Sequence, residues 1–350
     1  MNAYMQRALE LATLGRGRVS PNPMVGCVIV YDDPVTGPRI LGEGWHERYG
    51  EAHAERNAVL AVADADRSLL GQATAYVTLE PCAHYGKQPP CADLLVEVGI
   101  GRVVCCNDDP NPLVGGQGFA RLRAAGIPVE TGVLAEQGRD LNARFFTMIE
   151  QNRPYIVLKW AESADGFIAG RGGQPVQISG PLSQRLVHRW RVEEDAILVG
   201  ANTAAADNPR LNVRLWPMAD PALRHPTRLV LDPSLRLPTT LHLFDGSVPT
   251  LVYHRADLTP PDSRPNLTYA AASDLPALLA DLQQRRIQSV LVEGGAQVIG
   301  AFVAAGLWDE MRVFRAPVVL GDGVPAPRVA GQLLHREAVG LDELSIYRSR

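Results

Sequence analysis

The sequence predicts two α/β domains in tandem, and three observations carry that reading. The chain has 350 residues and 46% hydrophobic content, which suits two separate cores at ~100–200 residues per domain. Strand-like apolar runs alternate with helical patterns twice over. Between the two runs, Gln151-Asn152-Arg153-Pro154 breaks the pattern with polar residues and a proline, which places a first domain at 1–150 and a second at 151–350.

In the first run a helix is expected near 2–14, then strands at Met24–Val30 and Arg39–Glu43. Ala52–Ala63 reads as a helix with Ala54, Ala58, Val59 and Val62 on its buried stripe. Ala73–Leu79 (ATAYVTL) reads as a buried strand, and Pro89-Pro90 prepares a helix over 90–98. Strand Arg102–Cys106, a helix near 117–125, strand Ile127–Thr131 and a helix near 135–149 complete the domain. The second run opens with strand Tyr155–Ala161, a helix near 182–193 and strands Ala196–Gly200, Thr227–Asp232 and Thr250–Tyr253. A helix near 274–286, strand Ser289–Val292, a helix over 296–305 and strand Asp309–Ala316 follow. Residues 232–273 are proline-rich and expected to be irregular.

Composition narrows the function classes. A net charge of −4 shows no excess of lysine and arginine, so no nucleic-acid footprint is expected. The chain shows no secretory h-region and no apolar run near 18 residues, which points to a cytoplasmic protein with no membrane partner. A homo-oligomer acting on a small molecule is expected. Of the five cysteines, Cys27, Cys105 and Cys106 lie in apolar runs and read as reduced core thiols.

The other two cysteines carry chemistry. Gly50-Glu51-Ala52-His53-Ala54-Glu55 is followed by Pro81-Cys82 and by Pro89-Pro90-Cys91. One imidazole and two thiols make three zinc ligands, and three leave the fourth tetrahedral position open to water, whereas structural zinc is normally closed by four. Glu55 is then the proton carrier, in the H-x-E…P-C-x-x-C manner of zinc nucleobase deaminases. His53 and Glu55 are expected in the first turn of their helix, converging just beyond its end. Taken singly, His53 reads as a surface histidine and the cysteines as core residues; jointly, with Glu55 and the prolines, they read as a metal site. The spacing Cys82-x8-Cys91 departs from that signature.

Pro21-Asn22-Pro23-Met24-Val25-Gly26-Cys27, His53-Ala54-Glu55, Thr78-Leu79-Glu80-Pro81-Cys82-Ala83-His84, Pro89-Pro90-Cys91 and Asp109-Pro110-Asn111-Pro112 together resemble the bifunctional deaminase/reductase family of riboflavin biosynthesis. That family uses the eight-residue cysteine spacing. In the second run Lys159-x-Ala161-x-Ser163-x-Asp165-Gly166, Asp195-Ala196-Ile197-Leu198-Val199-Gly200-x2-Thr203, Asp207-x-Pro209-x-Leu211-x2-Arg214 and Glu293-Gly294-Gly295 resemble its reductase half. The resemblance covers nearly the whole chain.

The resemblance implies a cytidine-deaminase-like α/β/α domain followed by a dihydrofolate-reductase-like α/β domain. It implies Zn2+ and NADPH as cofactors, deamination of 2,5-diamino-6-(5-phosphoribosylamino)pyrimidin-4(3H)-one, then reduction of the ribose to a ribityl chain. Asn22 and His46 resemble base contacts, and His84, Lys87 and Asp109 resemble contacts near the ribose phosphate. Ala161, Thr203 and Asp207 carry over to the NADPH side. Gly295, Ala296, Gln297, Val298, Ile299, Gly300 and Ala301 form a glycine turn and helix start suited to a cofactor phosphate. Arg191, Leu211 and Arg214 carry over to the substrate, with the arginines suited to bidentate phosphate contact. Glu293 is expected to orient or protonate the ribose near C1′, with Lys159 in the same region. Two departures stand out: Pro175-Val176-Gln177-Ile178 replaces a frequent Ser-x-Trp-Ile, and Glu162 stands where a small residue is frequent. The competing readings are a deaminase of another base, guanine or a tRNA adenosine, with an inactive second domain, and a binding protein that keeps zinc as a staple.

Overall fold

The computed structural model describes residues 2–85, 89–112, 114–218, 220 and 223–349. The chain divides into two compact units, Met1–Asn152 and Arg153–Arg350.

The first unit runs α1 (Ala3–Thr13), β1 (Gly26–Asp33), β2 (Gly37–Trp45), α2 (Ala54–Leu60), β3 (Ala73–Leu79), α3 (Cys91–Glu97), β4 (Arg102–Asn107), α4 (Gln117–Ala124), β5 (Val129–Glu130), α5 (Ala135–Leu141) and α6 (Ala143–Glu150). Its sheet has the order β2-β1-β3-β4-β5. β1 is antiparallel to β2 and β3, and β3, β4 and β5 are parallel. Alternation along β1 makes the layers: Cys27 and Ile29 pack with Ala54 and Ala58 of α2 and Ala92 and Leu95 of α3, while Val28 and Val30 pack with Met5, Ala8 and Leu9 of α1. Each large aliphatic side chain so buried contributes roughly 1.5–3 kcal/mol. A Cβ on Gly42 or Gly44 would lie 2.2 Å from the Ala58 oxygen or 2.3 Å from its nitrogen, so only glycines let α2 rest directly on β2 and bring its N-terminus to the end of β3.

Two helices differ from expectation for identifiable reasons. α2 begins at Ala54, and His53 is its N-cap with extended backbone (φ −78°, ψ 167°) rather than a first-turn residue. The Ala52 carbonyl is taken by His46 Nδ1 at 3.1 Å, and the helix ladder starts when Asn57 N–H donates to the His53 carbonyl. The helix expected over 135–149 is broken at Asn142 (φ −104°, ψ 26°). The buried Asn142 amide accepts from Met24 N–H (2.8 Å) and donates to the Met24 carbonyl (2.9 Å), a pairing that regular helix geometry does not reach.

The second unit comprises β6 (Tyr155–Glu162), β7 (Phe167–Ala169), α7 (Pro181–Glu193), β8 (Ala196–Gly200), α8 (Ala201–Asp207), β9 (Thr227–Leu231), β10 (Thr250–His254), β11 (Leu267–Ala271), α9 (Leu275–Gln284), β12 (Ser289–Gly294), α10 (Ala296–Ala305), β13 (Glu310–Arg315), β14 (Val324–Pro325), β15 (Gln332–Val339) and β16 (Asp342–Arg348). Nine strands form one sheet, β11-β10-β9-β8-β12-β6-β13-β16-β15. It is parallel from β11 to β13 and closes with the antiparallel β16 and β15. Ile156, Leu158, Leu198 and Val292 face one core with Leu278 and Leu282 of α9 and Phe302 of α10. Ile197, Val199 and Val230 face another with Ala204 and Leu211. β11 lies inside the stretch expected to be irregular, and α8 and the β15–β16 hairpin are further elements the sequence reading lacked. The Asp342 carboxylate at the start of β16 accepts from Gly180 N–H (2.7 Å) and Ser183 Oγ (2.5 Å), which fastens the N-terminus of α7. The carboxyl ends of β6, β8 and β12 adjoin in the sheet, where open parallel sheets take their ligands.

Candidate active sites

The zinc constellation assembles where α2, α3 and the loop after β3 meet. His53 caps α2, Cys82 follows the buried Pro81, and Cys91 is the first residue of α3. His53 Nδ1 lies 3.5 Å from Cys82 Sγ and 3.4 Å from Cys91 Sγ. The three ligand atoms fall within 4.8 Å of one another, and among the described residues no fourth His, Cys, Asp or Glu joins them. Tetrahedral zinc at ~2.3 Å from sulfur and ~2.0–2.1 Å from nitrogen requires N···S separations of roughly 3.6 Å, so this donor set fits the ion nearly as it stands.

The electrostatics agree. The Cys91 thiol's hydrogen bond holds Cys82 down to about 4 against the cost of burial, helped by His53 and by the Cys91 N–H at 3.3 Å. The same contact, with burial and the Glu55 charge, pushes Cys91 well up. Two sulfurs, those of buried Cys91 and half-buried Cys82, beside a buried carboxylate are short of positive charge, which a divalent cation would supply. Glu55, in the first turn of α2, is only 3% exposed. Burial, then the Cys82 charge, pushes its carboxyl up to about 7, a value suited to taking and returning a proton at neutral pH.

His46 turns both nitrogens inward: Nδ1 donates to the Ala52 carbonyl, so Nε2 accepts from the Asn22 amide at 3.2 Å. Its ring stands edge-on to His53 at 5.2 Å, and burial lowers its pKa. That geometry links His46 to Asn22 and His53 at the site. Asp109 is half-buried, accepts from Asn111 N–H at 2.8 Å, and burial raises its pKa. His84 is exposed near it, and Lys87 lies outside the described residues.

Glu80, which directly follows β3, owes its role to contacts distant in sequence. Its buried carboxylate accepts from the N–H groups of Asp109 (3.3 Å), Gly116 (2.8 Å), Gly118 (2.8 Å) and Phe119 (3.3 Å). The loop that carries Asp109 is thereby tied to the strand end that delivers Cys82. A charged residue closing an apolar strand was the available signal.

In the second unit Glu293, at the end of β12, faces α7. Arg191 Nε and Nη2 donate to its two oxygens at 2.7 and 2.8 Å, and Nη1 donates to the Asn212 carbonyl at 3.0 Å. Arg191 is thus buried and engaged by Glu293 and the Asn212 carbonyl. Burial alone would raise the Glu293 pKa, but Arg191 and then Lys159 outweigh it and hold the carboxyl below its ordinary value. Glu293 is therefore held as a carboxylate. Lys159 is half-buried, and burial lowers its pKa against the pull of Glu293. The Leu211 side chain is buried in the core beside Ile197 and Val199. Arg214 is exposed and its guanidinium donates to Asn212 Oδ1 at 3.2 Å.

The glycine turn suits a cofactor phosphate. Gly295 has φ +62°, and a Cβ there would come 3.1 Å from Thr203 Oγ1. α10 opens at Ala296 with no side-chain cap and no acidic residue in its first turn, so the N–H groups of Ala296, Gln297 and Val298 are open to an anion. Ile299 N–H donates to the Gly295 carbonyl and its side chain is buried in the core; Gly300 and Ala301 belong to the second turn, where N–H groups serve the helix. Asp207 is exposed at the end of α8, and Ala161 is half-buried near the end of β6. Gln177 donates to the Ser179 carbonyl at 2.7 Å, and Glu162 accepts from Trp160 Nε1 at 3.0 Å, so both departures from the family pattern have local partners.

Comparison with known proteins agrees with both halves. Residues 1–107 match the cytidine and deoxycytidylate deaminase zinc-binding region, and residues 154–348 match the RibD C-terminal domain. The chain is 40% identical over 338 residues to the riboflavin biosynthesis protein RibD of Bacillus amyloliquefaciens, covering 94% of this chain and 88% of that protein. It is 39% identical to the RibD of Aquifex aeolicus, with 92% and 88% covered. Among solved structures, Acinetobacter baumannii RibD superposes with TM-score 0.89 at 36% identity, covering 99% of this chain and 98% of that one. A Thermotoga maritima diaminohydroxyphosphoribosylaminopyrimidine deaminase/5-amino-6-(5-phosphoribosylamino)uracil reductase superposes with TM-score 0.88 at 35% identity, covering 99% and 98%.

Proposed function

The chain belongs to the RibD family of riboflavin-biosynthesis proteins, and on that premise we propose how its two units divide two consecutive reactions. It is a bifunctional enzyme with zinc and NADPH as cofactors. It deaminates 2,5-diamino-6-(5-phosphoribosylamino)pyrimidin-4(3H)-one and then reduces the ribosyl group of the product to ribityl. The observation that carries the first half is the three-membered His53, Cys82 and Cys91 donor set with Glu55 buried beside it.

Held by those three side chains, zinc supplies Lewis acidity that makes water nucleophilic near neutral pH. Glu55 takes one proton from the water as oxygen bonds to the ring carbon bearing the 2-amino group and passes it to the ring nitrogen; it then takes the second proton from the new hydroxyl and gives it to the amine, so that the carbonyl forms as the C–N bond breaks and ammonia leaves. Asn22, its amide oriented by His46, borders this site, and the Glu80-anchored loop presents Asp109 beside His84 for the ribose phosphate. A carboxyl of this kind has no use in a zinc staple, so the binding-protein reading is not favoured.

In the second unit Ala296, Gln297 and Val298 at the glycine turn, with Thr203, Asp207 and Ala161, would hold NADPH, which when bound would supply a hydride for C1′. As hydride reaches C1′ the C1′–O4′ bond of the sugar opens and Lys159 gives the proton that O4′ takes up, Glu293 holds Lys159 and Arg191 in place, and Arg214 meets the substrate phosphate. The free edge of β15, exposed on both faces with Leu333 and Leu334 near half exposed, supports a homo-oligomer, which sedimentation checks. Among the described residues no helix is long and apolar enough to cross a membrane.

Glu55→Gln tests the division of labour. The variant is expected to retain zinc, lose deamination by ~10²–10⁴-fold, and still reduce the deaminated compound supplied with NADPH. Near-normal deamination would overturn the role given to Glu55.

A further inference from the structure

The loop over 211–215 carries Arg214, and side chains rather than a backbone ladder hold it. Leu211 adopts φ +45°, a left-handed conformation that a non-glycine residue keeps only when its surroundings impose it. Beyond it, three successive backbone groups each meet a side chain. The Asn212 carbonyl accepts from Arg191 Nη1 at 3.0 Å, Val213 N–H donates to His225 Nδ1 at 3.1 Å, and Arg214 N–H donates to His188 Nδ1 at 3.0 Å. A histidine nitrogen that accepts must be unprotonated.

His188 lies one turn before Arg191 on α7 and is 3% exposed. Arg191 on its own helix, Arg214 on the loop, Glu293 at the end of β12 and Lys159 on β6 all face it closely enough to act on its charge. On the far side of the loop, Trp216 takes the guanidinium groups of Arg185 and Arg189 over its ring at 5.8 Å each. One face of α7 therefore sets the course of the loop from both ends.

We propose that His188 is a positioning residue of the reductase site, its Nδ1 fixing the Arg214 backbone so that the guanidinium meets the phosphate of the substrate. The proposal rests on the reading of Arg214 given above. Were His188 only a filler of the core, the accepting nitrogen would be dispensable so long as the ring's volume was kept. His188→Phe keeps the ring and removes the acceptor, whereas His188→Asn restores an acceptor at the same distance along the side chain.

The test is steady-state reduction of the deaminated phosphoribosyl compound by the full chain at saturating NADPH, for Arg214→Ala, His188→Phe, His188→Asn and the double variant of His188→Phe with Arg214→Ala. Arg214→Ala is expected to raise KM on the order of 10–100-fold, as for loss of a hydrogen bond to a charged group. His188→Phe should raise KM by about tenfold with kcat and the KM for NADPH nearly unchanged, His188→Asn should recover most of that loss, and the double variant should be no worse than Arg214→Ala, as expected of coupled residues. A raised KM in Arg214→Ala with none in His188→Phe, or effects that add in the double variant, overturns the proposal and leaves the Arg214 reading standing. An unchanged KM in Arg214→Ala overturns that reading and the proposal with it. Should His188→Phe not fold, His188→Asn decides: folded protein with KM as high as that of Arg214→Ala overturns the proposal, and KM near that of the unaltered chain supports it.

Discussion

Glu293→Ala should damage the second unit far more than Glu293→Leu combined with Arg191→Met. Arg191 and Glu293 meet through hydrogen bonds of 2.7 and 2.8 Å, with side chains 9% and 8% exposed. Truncating Glu293 leaves the guanidinium inside the protein with the Asn212 carbonyl, and Lys159 loses its anionic neighbour. An uncompensated buried charge of this kind costs ~3–5 kcal/mol, whereas replacing both partners by apolar residues of similar volume is often neutral or stabilising. The double variant is therefore expected within about 1–2 kcal/mol of the unaltered chain, with a coupling between the two sites of the size seen for contacting residues. Tryptophan fluorescence reads the right unit, because Trp160, Trp190, Trp216 and Trp308 lie in the second and only Trp45 in the first. At ~2–4 °C per kcal/mol for a domain of ~150–250 residues, Glu293→Ala should lower the melting temperature of that unit by roughly 6–20 °C. A single variant within about 0.5 kcal/mol of the unaltered chain, or a double variant that sums two large losses, would refute the reasoning.

Other consequences can be checked alongside. Stripping zinc with a chelator should abolish deamination while reduction of the supplied deaminated compound continues; loss of both would contradict two separate sites. Asn142→Leu leaves the Met24 N–H and carbonyl without partners, at ~1–3 kcal/mol for each buried group, so urea unfolding of the first unit should shift to lower denaturant. Burial, then Arg191 and Arg214, holds His188 down to about 4 from 6.5. Its contribution is thus complete above pH ~6.5 and declines as pH falls towards 4, where the unfolded chain takes the proton first, by at most roughly 3 kcal/mol. Between pH 7 and pH 5 the second unit of His188→Asn should lose less thermal stability than that of the unaltered chain, and equal slopes would contradict the assignment.

The elements that read cleanly from sequence are those whose own side chains decide them. β3 at Ala73–Leu79 and β8 at Ala196–Gly200 are short apolar runs bounded by turns, and α10 at Ala296–Ala305 follows a glycine pair. β15 escaped because most of its residues are exposed, which leaves no alternation to find. Asn142 breaks a helix by bonding to Met24, 118 residues earlier, and no local pattern announces such a partner. The zinc site was legible because metal chemistry restricts residue types and the three ligands sit in short motifs. The surroundings of Arg214 were not, since Arg191 and Glu293 are 102 residues apart and the histidine acceptors His188 and His225 belong to no motif. Arginine on a helix signals nothing by itself; only the structure reveals that Arg191 pairs with Glu293 and helps hold it ionised.

Mass analysis of the products made from 2,5-diamino-6-(5-phosphoribosylamino)pyrimidin-4(3H)-one, with and without NADPH, tests the central claim most directly. Without NADPH the zinc-loaded protein should release ammonia and replace one C–NH2 by a carbonyl, and the reaction should stop there. With NADPH the same product should gain two hydrogens on its sugar as NADPH is consumed in equal amount. An unchanged substrate in the first reaction, or a deaminated product that NADPH leaves unreduced in the second, would contradict the account of one chain with two working sites.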